Sequence, residues 1–205
     1  MKFEHNNISP LDSRYADKIL PIRESFSEKS LIKTRFIIEI NWLLFLCNKL
    51  PKHFQKLSNV SVKKILKFRD SFSDKDILKI KKIESVTNHD IKAIEYYISN
   101  FFKKDKQLRK YINLIHFGLT SEDVNSLSYA IIIKDGSEHY LKNLYSLNKV
   151  LKTLSNKWKS IPLLSRTHGQ AASPTTIGKE LKVFESRIIR EIAIFKKIMP
   201  LAKFS

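Results

Sequence analysis

The residues that could do chemistry sit in short polar clusters set between strongly apolar runs. The richest is Ser165-Arg166-Thr167-His168-Gly169-Gln170, which puts an imidazole on a short polar loop beside a glycine that lets the backbone come close to a ligand. An imidazole gives up a proton near neutral pH with little tuning. Arg166, Thr167, Ser173 and Thr175 add donors suited to carboxylate or phosphate oxygens. A turn that needs a hydrogen-bonding histidine would use His168 equally well. Two further clusters are Thr87-Asn88-His89-Asp90 and Thr120-Ser121-Glu122-Asp123. Each has the composition of an ordinary helix start, yet a helix N-terminus bearing hydroxyls is also an anion site. Arg14-Tyr15 pairs a guanidinium with a ring, a combination suited to phosphate and base recognition. Together these clusters are expected to form the walls of one site for a small anionic substrate. His5, His53, His116 and His139 carry no comparable signal, although His116 is close enough to Thr120 to support that loop. A single histidine without Cys, Asp or Glu at ligand spacing argues against a metal, and no cofactor is expected.

The elements that must position these residues read as nearly all helix. The chain has only 4 Gly and 6 Pro and no alternating strand pattern of useful length. An irregular segment over 8–15 is broken by Pro10 and again by Pro21. A helix over 27–49, apolar around most of its circumference at Phe36, Ile37, Ile40 and Leu44, is expected to be buried and to end before Pro51. A shorter helix covers 61–72, and Ser73-Asp74-Lys75-Asp76 caps another that runs through Ile83. Asn88-His89-Asp90 caps the next, with Ile91, Ile94, Tyr97, Ile98 and Phe101 as its apolar stripe. The basic stretch 103–106 makes a solvated turn. Thr120 and Ser121 then cap a very long helix over 122–158, where Gly136 is a candidate bend at a cost of about 1 kcal/mol against alanine. The polar loop holding His168 follows Pro162, and Pro174 restarts a helix to Met199 with a stripe at Ile177, Leu181, Phe184, Ile188, Ile192 and Phe195. Two long helices and a loop make half of a bundle. The expectation is therefore an all-α chain: residues 1–115 form a small helical domain, and residues 116–205 begin a truncated central helix bundle.

Composition narrows the classes. At 205 residues and 42% hydrophobic the chain can bury a core. The one cysteine, Cys47, follows the apolar run Trp42–Leu46, which suits a core thiol in a reducing, cytoplasmic setting and excludes a disulfide framework. Met1–Asn7 is polar and has no apolar leader, and no run approaches a membrane span. The net charge of +18 comes mostly from lysine, 30 Lys against 8 Arg, spread over every helix. That pattern fits the codon drift of an A+T-rich genome. It fits a nucleic-acid binder poorly, since such a protein concentrates Arg and exposed aromatics on one face. The charge still steers phosphorylated metabolites at long range.

Taken in order, Ser9-Pro10-Leu11-Asp12-Ser13-Arg14-Tyr15, Thr87-Asn88-His89-Asp90, His116-Phe117-Gly118-Leu119-Thr120-Ser121-Glu122-Asp123 and Ser165-Arg166-Thr167-His168-Gly169-Gln170 resemble adenylosuccinate lyases of the bacterial purine pathway. These belong to the fumarase/aspartase superfamily of all-helical homotetramers. The resemblance runs from about Ile8 to Ser205, and its Arg-Tyr and Asn-His-Asp elements favour this family over argininosuccinate lyase or class II fumarase. It implies β-elimination of fumarate from adenylosuccinate, giving AMP, and from the succinyl-carboxamide intermediate SAICAR. It implies further that Arg14 and Tyr15 hold the nucleotide, that Asn88, His89 and Asp90 line the pocket, and that Thr120 and Ser121 bind the substrate carboxylates. His168 would be the general acid, with Gln170 its neighbour. The family's base is a serine on a Gly-Ser-Ser-x-Met-Pro-x-Lys loop, and these 205 residues contain no such motif. Ala171 replaces the usual proline after Gln170, and Gly118-Leu119 differ from the common choices before Thr120; both look tolerable. The expectation is thus an N-terminal portion of such a lyase, inactive alone. The alternatives are an inactive remnant, an argininosuccinate-lyase-like enzyme, or a basic helical nucleic-acid-binding protein.

Overall fold

The computed structural model describes residues 8–204; the polar Met1–Asn7, read above as carrying no leader, and Ser205 lie outside the described residues. The fold is helical, as expected. Seven α-helices follow one another among the described residues: α1 (Leu20–Phe26), α2 (Glu28–Lys49), α3 (Asn59–Asp70), α4 (Asp74–Thr87), α5 (Asp90–Lys103), α6 (Ser121–Lys157) and α7 (Ile177–Phe195). Short 3-10 turns at Pro10–Asp12, Ala16–Ile19 and Arg109–Leu114 fill the irregular stretches. Serines mark the starts: Ser27 Oγ accepts from Ser30 N at 3.3 Å, Ser58 Oγ from Ser61 N at 3.1 Å, and Asp76 reaches back to Ser73 N at 3.0 Å. Each satisfies a backbone donor that has no partner within its own helix. Helix α4 runs one turn beyond Ile83, and α7 stops at Phe195, short of Met199.

One expectation is corrected. The stretch around His168 is a two-stranded antiparallel hairpin, β1 (Pro162–Thr167) and β2 (Gln170–Thr176), where a loop was expected. Pro174 pairs with Leu164 inside β2, and α7 begins only after the cap at Thr176, whose Oγ1 accepts from Lys179 N at 3.1 Å. The physical reason lies at the tip. His168 and Gly169 have φ of 50° and 78°, the pair of left-handed residues that a two-residue hairpin turn requires. Gly169 is accounted for by that turn, since no atom approaches the space where its Cβ would be.

The chain forms two compact units. One comprises residues 8–133 with 200–204, and the other Lys134–Met199. In the first, Ile32, Phe36, Ile40, Leu43 and Cys47 of α2 pack with Ile65 of α3, Ile80 of α4, Ile94, Ile98 and Phe102 of α5, and Tyr111. Phe36 stacks on Phe72 at 4.6 Å and meets Phe68 edge-on at 5.2 Å. Burial pushes the Cys47 thiol up to about 11, which leaves it protonated and inert in the core. In the second unit, Ile177 N donates to Ile161 O and Gly178 N to Trp158 O, each at 3.0 Å, seating the start of α7 against the end of α6. Gly178 is needed there, because a Cβ would fall onto Ser155 O and within 2.5 Å of Lys159 Cα.

Candidate active site

The α4–α5 junction concentrates the polar chemistry of the first unit. Asn88 closes α4 in the left-handed conformation (φ 50°), a backbone state that asparagine tolerates better than most residues. His89 then caps α5, its Nδ1 accepting from Lys92 N at 3.3 Å. A ring nitrogen that accepts carries no proton, so the proton of neutral His89 resides on Nε2 as an available donor. Asp90 is held on both sides: Oδ1 accepts from Ile91 N at 2.8 Å, and Oδ2 meets Arg35 Nη2 at 2.9 Å. Lys81, Glu84, Ser85, Asn88, His89 and Asp90 line a cavity of about 570 Å³.

Thr120 and Ser121 open α6. Thr120 N and Oγ1 both donate to Asp123 Oδ2, at 2.7 and 2.8 Å, and Asp123 N returns a bond to Thr120 Oγ1 at 3.3 Å. This reciprocal cap fixes the direction in which the first turn of α6 presents its backbone N–H groups. Arg35 joins the two helix starts. Its Nε donates to Asn125 Oδ1 at 2.9 Å while Nη2 holds Asp90, so the first residue of α5 and the second turn of α6 meet at one buried guanidinium of α2. The structure thereby links Asp90 to α6 through Arg35, while the cavity beside Asn88, His89 and Asp90 is lined by neither Thr120 nor Ser121.

Arg14 and Tyr15 lie exposed between the first two 3-10 turns, the Arg14 guanidinium 5.4 Å from the centre of the Tyr15 ring. Arg23 anchors this segment through Leu11 O at 2.8 Å and Asp12 Oδ1 at 3.0 Å. In the second unit, His168 occupies the exposed hairpin tip, and Gln170 directly follows the turn, paired with Thr167. The two side chains expected to act as acid and neighbour thus lie two residues apart at one hairpin end.

Sequence reasoning passed over Arg35, Glu39 and Asn125. Arg35 and Glu39 are only 7% and 1% exposed. They stand one turn apart in a helix otherwise read as apolar, and charges at that spacing in a buried helix were the available signal. Glu39 Oε1 lies 2.6 Å from His116 Nδ1, while Glu39 Oε2 is buried with no hydrogen-bond partner. The hydrogen bond to Glu39 raises the pKa of His116 against the opposing effect of burial, and Glu95, 4.0 Å from Nε2, adds to the rise. His116, at φ 59°, therefore ties the segment leading to Thr120 to α2 through Glu39. Trp42 Nε1 supports the same segment by donating to Phe117 O at 2.8 Å. Among the described residues no group of three or more His, Cys, Asp and Glu is placed to hold a metal, and no helix is long and apolar enough to cross a membrane.

The family pattern described as Lyase matches residues 13–204. This chain belongs to that family. It is 40% identical over 202 residues to the adenylosuccinate lyase of Buchnera aphidicola subsp. Acyrthosiphon pisum, covering 97% of this chain and 44% of that protein. It is 36% identical over 200 residues to the adenylosuccinate lyase of Escherichia coli, covering 97% and 44%. The chain thus spans less than half the length of these relatives of the lyase family. Its fold matches a fumarate lyase from Mesorhizobium sp. BNC1 with a TM-score of 0.73 at 22% identity, over 92% of this chain and 42% of that one.

Proposed function

We propose that this chain carries the acid-bearing part of an adenylosuccinate lyase site, acting in purine nucleotide synthesis in the cytoplasm. The reaction is β-elimination of fumarate from adenylosuccinate to give AMP, and from SAICAR to give AICAR. The observation that carries this reading is the identity to adenylosuccinate lyases along 97% of the chain. The tie of Asp90 and Asn125 to Arg35 supports it, because it fixes the early turns of α5 and α6 on one guanidinium, and helix starts offer backbone N–H groups and positive field to substrate carboxylates. In this reading Arg14 and Tyr15 hold the nucleotide, with Arg14 near the phosphate. Asn88 and the Nε2–H of His89 face the pocket, and Asp90 orients them from its bond to Arg35. Thr120 and Ser121 take the succinyl carboxylates. A base removes the proton from the succinyl carbon, and fixed donors hold the charge that builds on the adjacent carboxylate. The C–N bond then breaks, and His168 delivers a proton to the leaving nitrogen, with Gln170 beside it. Residues 1–115 act as the helical N-terminal domain and 116–205 as the start of the central bundle of a homotetramer.

The test is fumarate release from adenylosuccinate, with argininosuccinate as the rival substrate. The 205 residues alone, which carry no Gly-Ser-Ser loop, should give no turnover. Mixed with the downstream portion of a relative that supplies the serine, they should release fumarate from adenylosuccinate, and His168→Ala should abolish it. Turnover of argininosuccinate in place of adenylosuccinate would overturn the substrate. Full activity of the mixture with His168→Ala would overturn the acid.

A further inference from the structure

A cavity of about 870 Å³ opens between α3, α4 and α5, within the range of about 300–1,000 Å³ that small-molecule sites occupy. Its lining includes Thr87 at the end of α4 but not Arg14, Asn88, His89, Asp90, the α6 cap or the hairpin. One wall is aromatic. Phe68 and Phe101 lie face to face at 3.8 Å with their planes 2° apart, and Tyr97 follows Phe68 at 5.6 Å and 29°. Ile83 extends this wall, and Tyr96 stands on the rim. The three rings form a stacked column that closes one side of the cavity with apolar ring surface, against which another ring can pack.

The charges around the cavity do not cancel. Asp76 is the one acid lining it. Its carboxylate is already taken by Ser73 N at 3.0 Å, Ser73 Oγ at 2.8 Å and Lys79 Nζ at 2.9 Å. Lys79 and Asp76 therefore offset each other. Lys82 and Lys104 also line the cavity and have no ion-pair partner among the described residues. An apolar aromatic wall with two uncompensated ammonium groups beside it favours a ring with a negative substituent. An amphipathic helix from a partner fits less well, since it needs a run of anchors along a groove. We propose that this cavity is a binding site for a small aromatic anion, an aryl ring bearing a carboxylate, sulfonate or phosphate.

The test is a titration of the isotope-labelled 205-residue chain with naphthalene-2-sulfonate, followed by amide chemical shifts. Saturable shifts should concentrate in residues 68–71, 79–87 and 96–104. The uncharged 2-naphthylmethanol should bind more weakly. The double variant Lys82→Glu with Lys104→Glu, both at exposed positions, should lose about tenfold in affinity. Asn100→Trp on the exposed rim should block binding by filling the opening while leaving the charge unchanged. Shifts spread along α6 and α7, or no saturation by about 10 mM probe, would overturn the site. An affinity indifferent to charge reversal would overturn the anion. Displacement of the probe by an acidic helical peptide that binds more tightly would overturn the ligand class.

Discussion

Helices α2 and α7 both carry more apolar residues than a surface helix needs, and the two units use them differently. On α2, Ile32, Phe36, Ile40, Leu43 and Leu46 are all within 4% exposure. On α7, Ile192 is covered, and Phe195 meets Tyr140 at 5.7 Å, but Phe184, Ile189 and Ile194 remain 55%, 42% and 52% exposed. Leu147 and Val150 of α6 add to the uncovered surface of that unit. An apolar stripe at helical spacing thus reports what a helix can bury, and only the surrounding chain decides what it does bury. The first unit closes its core with its own residues. The second joins two helices and a hairpin through a close backbone seat and few buried side chains, leaving Phe184, Ile189 and Ile194 exposed.

The most direct attempt to break this contrast is a matched pair of truncations. Phe36→Ala should cost about 3–5 kcal/mol, the range for a large aromatic lost from a packed core. Phe184→Ala should cost less than about 0.5 kcal/mol, as for an exposed position. Urea unfolding of both variants measures the difference. Equal losses would mean that the Phe184 face is covered in solution and that the contrast between the units is false.

A smaller effect sharpens it. The close seat of α7 on the end of α6 depends on Gly178, whose absent side chain leaves room for the backbone of Ser155 and Lys159. Gly178→Val should push α7 off that seat at about 1–3 kcal/mol. Amide hydrogen exchange should then quicken in α7 and the hairpin while α2 to α5 keep their protection. Faster exchange in both units would show that they do not hold their structure separately.

Much of this was legible in the sequence, and the rest was lost for physical reasons. The caps at Ser73, His89 and Thr120 were readable because capping is local: the side chain and the backbone donor it bonds lie three residues apart. The buried stripe of α5 was readable because 3.6-residue spacing is a property of the segment itself. The hairpin was missed because its alternation is weak, with Leu163 and Leu164 adjacent and a bulge between Leu164 and Arg166. The decisive signal was a His-Gly pair acting as a left-handed turn, a role more often filled by Asn-Gly. Arg35 was missed because its meaning is tertiary. Nothing within α2 says that Asp90 and Asn125, far along the chain, converge on it.

The smallest expected effect separates a histidine built into the first unit from the exposed one on the hairpin. His116 lies against Glu39 at 2.6 Å, and this bond raises its folded pKa above the ordinary 6.5. A group whose pKa is higher folded than unfolded binds its proton more tightly in the native state. The stability it contributes is therefore fully present below pH 6.5, its value when unfolded, and is lost as the pH rises through the raised folded value. Urea midpoints measured between about pH 5 and about pH 9 should fall for the unaltered chain relative to His116→Gln, which keeps a donor beside Glu39 but cannot titrate. The loss should be accompanied by faster amide exchange in residues 115–120, because that segment is the one His116 pins against α2. Parallel stability curves for the two proteins would show that the Glu39–His116 pair packs the Thr120 loop without charging it.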